Sequence, residues 1–222
     1  MPVGADLNPG GRFVTAFHRR HMLGSMAATA VLPLFDRLAC AAGGSSGTFA
    51  YRGFTVDISG APNFVTIEAS LKHQIDIVAG CGASAKVLDF FKSQEIIVKP
   101  GQGDGGGHFS ANSSGVTVDA VVDAPEKPVV LHELLHAYHW RVLPGGFGNP
   151  DILTFYDRAK EGGFYPPGAY VLKNVQEFFA VTASLYLWGN VDRPPHDRKT
   201  LHDRQPVYYK WLGDQFGVQK AV

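Results

Sequence analysis

The chain lacks the features that mark several large classes of protein. It has only two cysteines in 222 residues, Cys40 and Cys81. That is too few for the disulfide framework of a small secreted domain. Neither charge is in excess, with Lys plus Arg and Asp plus Glu at 20 each. Such a balance gives no sign of nucleic acid or an anionic membrane as the main partner. No apolar run reaches the roughly 20 residues that a stable membrane span needs. The glycine-rich stretch 101–107 has no G-K-[ST] after it, so it does not read as a phosphate-binding loop. What remains is a chain with 45% hydrophobic and 18% charged residues, suited to a packed core.

The first 41 residues differ from the rest. Arg19-Arg20 is followed by an apolar run from Met22 to Phe35, and Ala39-Cys40-Ala41 has the form of an A-x-A cleavage site. Paired arginines before His21, Met22 and Leu23 resemble a bacterial twin-arginine export signal. The expected division is an export signal over 1–41 and one domain over 42–222, placed in the periplasm or outside the cell. Cleavage after Ala41 would leave Cys81 as the sole cysteine and exclude an internal disulfide. Lipoprotein anchoring through Cys40 is a minor alternative, because Arg37 stands where that motif needs an aliphatic residue. The competing reading of the segment is a plain amphipathic tail.

Past a short linker at 45–47, strand composition in "TFAYRGFTVDIS" gives way to helical spacing at Ile67, Leu71, Ile75 and Val78. "SAKVLDFFKS" reads as a helix, "EIIVKP" and "GVTVDAVV" as strands. "GNPDILTFYDRAK" is a helix with Asn149 as its cap and Pro150 at its first position. "NVQEFFAVTASLYLW" and "QPVYYKWLGDQFG" are further helices, the last stopped by Gly217. Short strands before long helices point to an α+β fold.

The segment "VVLHELLHAYHW", residues 129–140, carries the chemistry. His132, Glu133 and His136 spell H-E-x-x-H. On a helix, residues four apart lie about 40° apart around the axis, so both imidazoles can share one ion. Glu133 lies about 100° round from His132, able to reach a water on that ion rather than join its shell. With nine His and six Glu in the chain, a chance match has odds of roughly one in a hundred. Burying two histidines and a carboxylate among Val129, Val130, Leu131, Leu134, Leu135 and Ala137 is costly unless an ion satisfies them. The competing reading is a half-exposed helix with surface histidines.

A catalytic zinc normally takes three protein ligands and a water. The metzincin spacing fails here, because His139 stands at its glycine and Val142 at its third histidine. His139 is about 10 Å along the helix from His132, which leaves it a supporting, substrate-facing or structural histidine. Glu177, a lone carboxylate opening an apolar helix, is the better third ligand. Its rival role is a capping partner for Asn174 in N-x-x-E, and Asp151 and Asp157 are rival ligands.

H-E-x-x-H followed downstream by Asn-x-x-Glu-Phe-Phe-Ala resembles the gluzincin zinc peptidases, in particular the lethal factor catalytic domain and the secreted Pro-Pro endopeptidases. The resemblance implies a zincin-like domain: a small mixed sheet packed on an active-site helix, with a helical C-terminal part. It implies Zn²⁺ held by His132, His136 and Glu177, with Glu133 as general base. Tyr170, seven residues before Glu177, matches the family's transition-state donor; the competing reading is a buried aromatic. Val181 departs from the pattern, since several gluzincins carry a carboxylate there to orient a ligand histidine.

The expected function is hydrolysis of a peptide or protein by an exported monomeric enzyme, with neither nucleic acid nor a membrane as partner. "GVTVD", 115–119, is the expected edge strand for an extended peptide, with His108 and the glycines before it flanking the cleft or forming a plain loop. A zinc hydrolase of cell-wall peptide and a non-catalytic metal-containing binding protein remain as alternatives.

Overall fold

Residues 47–101 and 106–222 are described by a computed structural model. The expected export signal, with Arg19-Arg20 and Cys40, lies outside the described residues.

"TFAYRGFTVDIS" folds as two strands rather than one. β1 (Thr48–Tyr51) and β2 (Phe54–Asp57) pair antiparallel around Arg52-Gly53, whose φ angles are 48° and 85°. Two positive φ values suit the tight turn of a hairpin; glycine accepts one freely and arginine does so at a cost. α1 (Phe64–Gly80) and α2 (Ala85–Lys92) then carry the chain to β3 (Glu95–Lys99). β3 lies parallel to both β2 and β5 (Gly115–Asp119), and β4 (Gly107–Phe109) runs antiparallel to β5. The strand order is β1-β2-β3-β5-β4. GVTVD is therefore an inner strand, with both sides of its backbone paired. The edge on this side is β4, a three-residue strand within the stretch expected as cleft flank or loop; β1 is the other edge.

Seven α-helices among the described residues complete an α+β fold with a mixed five-stranded sheet. α3 (Val129–Arg141) sits against the sheet at β4 and β5, and against α1 and α5 (Val175–Trp188). Leu131, Leu134 and Leu135 are fully buried on it. Each contributes about 1.5–3 kcal/mol, which offsets the cost of holding polar groups on the same helix. Its start is pinned by Gln74 of α1, which accepts from Val130 N at 3.3 Å and donates to the Lys127 carbonyl at 2.8 Å. Near its end, Arg141 donates to Gln94 and to the Ser113 carbonyl.

α4 (Pro150–Glu161) begins as expected, with Asn149 Oδ1 accepting from Asp151 N at 3.1 Å and Ile152 N at 3.0 Å. The short helix α6 (Arg198–Arg204) was not foreseen. α7 (Pro206–Phe216) ends at Gly217, whose φ of 64° closes the helix in the left-handed region. Tyr170 opens a single 3-10 turn, Tyr170–Leu172, just before α5.

Candidate metal centre

α3 and α5 bring three ligand atoms to one point. His132 Nε2 and His136 Nε2, one turn apart, lie 3.1 Å from each other. Glu177 Oε2, from the first turn of α5, is 3.1 Å from the first and 3.5 Å from the second. Tetrahedral zinc with ligands at its usual bond lengths has neighbouring ligand atoms about 3.3 Å apart. The donor set therefore fits a zinc-sized cation in both element and spacing. Asp151 instead accepts from Trp211 Nε1 at 3.2 Å, and neither it nor Asp157 lines the cleft.

Of the two roles weighed for Glu177, its carboxylate takes the first and faces the histidines; the capping bond back to the Asn174 backbone N–H is not formed among the described residues. Asn174 Oδ1 caps α5 by accepting from the backbone N of Glu177 at 2.8 Å. That bond uses the main chain only and leaves the carboxylate free to face the histidines. Burial works against the Glu177 carboxylate, yet its hydrogen bonds to His132 and His136 hold its pKa well below the ordinary range. Burial lowers His132 to about 4, with partial relief from Glu177.

His132, Glu133 and His136 also offer three atoms within 4.8 Å of one another, so Glu133 is a second possible partner for an ion. Its position argues for another task. Glu133 is buried, and its Oε2 has no hydrogen-bond partner among the described residues. Burial first, then the charges of Glu177 and Asp119, raise its pKa to about 8. A carboxyl group that lines a cleft and has an oxygen without a partner is suited to exchange a proton with what enters.

The cleft encloses about 440 Å³ and is lined by His132, Glu133, Tyr170, Asp119, Lys127 and Arg193, among others. Tyr170 lies at its rim, 36% exposed. Burial of its hydroxyl and the neighbouring Glu177 carboxylate raise its pKa to about 12, so it stays protonated at neutral pH. Val181 lines the cleft and has no group that could orient a ligand histidine.

Sequence reasoning missed Gly107 and Arg193. A Cβ at Gly107 would overlap the Glu133 side chain and the Thr117 carbonyl, so β4 approaches the carboxylate closely only because this residue is glycine. The glycine run at 101–107 was the available signal. Arg193 had none, since it reaches the cleft only through the fold of the loop after α5.

His139 does not face the cleft. It is 0% exposed, with ring centres 5.1 Å from Phe147 and 4.8 Å from Phe179. Neither ring nitrogen has a hydrogen-bond partner among the described residues. The structure thus favours the structural reading of this residue. Burial lowers its pKa to about 3, and the Gly146 backbone offsets part of that without hydrogen-bonding geometry.

An unsatisfied buried imidazole costs about 1–3 kcal/mol, so His139→Leu is expected to raise Tm. It should also flatten the acid limb of stability. Above pH 6.5, the ordinary value, the ring is neutral in folded and unfolded chains alike. Below it the unfolded chain takes up a proton that the folded chain refuses until about pH 3, so stability falls. At pH 5 the loss is about 2 kcal/mol and should vanish in the variant. Equal pH slopes for both proteins in urea titrations would refute this.

No family model matches the chain. No curated protein matches it either. Among solved structures, the Pro-Pro endopeptidase PPEP-2 from Paenibacillus alvei aligns with 22% identity and a TM-score of 0.46, covering 71% of this chain and 94% of that one. A likeness of that size carries no weight for function, and the site stands on its own geometry.

Proposed function

We propose that the chain is a zinc-dependent metallopeptidase of the gluzincin type on a zincin-like fold. The observation that supports this best is the convergence of His132 Nε2, His136 Nε2 and Glu177 Oε2 at 3.1–3.5 Å beside the buried Glu133 carboxylate, whose Oε2 has no hydrogen-bond partner among the described residues. In this reading those three residues hold zinc. The ion, when bound, supplies Lewis acidity that acidifies a water and polarises a carbonyl.

The chain's own groups do the rest. Glu133, which lines the cleft, accepts the proton of the attacking water on its carboxylate and passes it to the leaving amine. Tyr170 O–H donates to the oxygen of the substrate carbonyl as charge builds there. β4 is the edge strand beside the cleft, and an extended peptide can pair with its free backbone side, next to Glu133. A non-catalytic metal protein would have no use for a buried, unpaired carboxylate opening on a cleft.

Mass-spectrometric profiling of a peptide library with the zinc-loaded chain tests the reading. Cleavage of internal peptide bonds is expected. Tyr170→Phe should lower kcat by about 10²-fold with little change in KM. A library left intact would refute the proposal, and wild-type turnover in the variant would reduce Tyr170 to packing. The export expected from Arg19-Arg20 belongs to the same proposal, and a mature N-terminus at Ala42 checks it. Among the described residues, no helix is long and apolar enough to cross a membrane.

A further inference from the structure

The wall of the cleft beside Tyr170 carries a cation with spare hydrogen-bonding capacity. After α5 the chain returns along the cleft through Val191, Asp192 and Arg193. This loop is held at both ends. Asn190 and Asp197 form a bridge across its base, and Arg198 donates to the carbonyls of Tyr186 and Leu187 at 2.8 and 2.9 Å. The Arg193 Cζ sits 4.6 Å from the centre of the Tyr170 ring. Lys173 Nζ stands 5.1 Å from the same ring, so two cations border the tyrosine.

Arg193 Nε donates to Asp192 Oδ1 at 3.2 Å. Among the described residues, its two terminal nitrogens donate to nothing. The bond to Asp192 is a weak competitor, because that carboxylate is half exposed and exposed pairs are worth less than about 1 kcal/mol. Elsewhere the cleft lining carries Asp119, the last residue of β5 and close to Gly106, together with the cation Lys127 before α3. The cleft therefore offers a planar N–H donor pair at the tyrosine and a negative charge beside the edge strand.

We propose that Arg193 is a specificity-determining residue whose free guanidinium end binds a carboxylate of the substrate, adjacent to the bond that Tyr170 faces. The inference rests on the peptidase reading above. A guanidinium accepts a carboxylate through two parallel N–H···O bonds, which fixes orientation as well as charge; an ammonium does not. An acidic side chain and the peptide's own C-terminal carboxylate share this chemistry.

Peptide binding to the zinc-loaded Glu133→Gln protein tests the idea without calling on turnover. The probes are pools of neutral octapeptides in three forms: amidated, with a free C-terminal acid, and amidated with one Glu replacing Gln. Fluorescence anisotropy is expected to show at least about tenfold tighter binding for one of the two acidic forms, and which form it is identifies the source. Arg193→Met in the same background should abolish the difference. Arg193→Lys should keep part of it, and Arg193→Glu should reverse it toward peptides carrying Lys. Equal binding of all three forms overturns the proposal, as does a preference that survives Arg193→Met or the absence of any binding. Hydrolysis of the same pools by the wild-type chain reports separately on the peptidase reading, since neutral amidated peptides can be cleaved whether or not Arg193 selects.

Discussion

Glu133→Gln is expected to keep one zinc per chain and to lower kcat by about 10²–10⁴-fold, the usual contribution of a positioned general base. The substitution preserves volume, which matters at a buried site packed against Gly107. It removes the one property the mechanism needs, an oxygen able to take a proton and return it. Zinc should stay because the closest three-atom set, with spacings of 3.1–3.5 Å, omits Glu133. The outcome also separates two possible ligand sets, because His132, Glu133 and His136 are themselves close enough to share an ion. Loss of zinc from the variant would make Glu133 a ligand. Full activity would remove it from the chemistry altogether. Metal analysis and steady-state kinetics on one preparation decide between these results.

Glu177→Ala is expected to weaken zinc binding by at least about 10²-fold. Losing a group that merely supports a ligand costs about 10–100-fold, and losing a ligand costs more. The substitution is clean in one respect. Asn174 caps α5 through the backbone N–H of residue 177, which alanine retains, so the helix start should survive. A circular dichroism spectrum like that of the wild type, together with zinc lost to a chromophoric chelator, is the expected pair of results. Unchanged affinity would move the third ligand elsewhere.

How much of this could be read from the sequence depended on how local each feature was. His132, Glu133 and His136 were legible because helical periodicity alone sets which side chains share a face. Glu177 was legible only through the need for a third ligand, and its capping motif seemed to compete. The structure forms only the Asn174 half of that motif, through the backbone N–H of Glu177, and leaves the carboxylate to the histidines. β4 was not legible, since three residues beginning with glycine give no alternation to detect. Missing β4 also put the edge of the sheet at β5, for a strand's neighbours are a property of topology and not of its own composition. The hairpin turn at Arg52-Gly53 was hidden for a different reason: arginine rarely takes a positive φ. Arg193 depends on a loop folding back over Tyr170, and the burial of His139 on Phe147 and Phe179 closing around it from other elements.

The central claim is that His132, His136 and Glu177 hold one zinc ion that hydrolysis requires. Titrating zinc into the chelator-stripped wild-type chain, while following cleavage of a library-derived peptide, tests it most directly. Activity should be absent without metal, rise linearly and level off at one equivalent per chain. Activity that persists after stripping, or that zinc fails to restore in a chain that remains folded, would contradict the account.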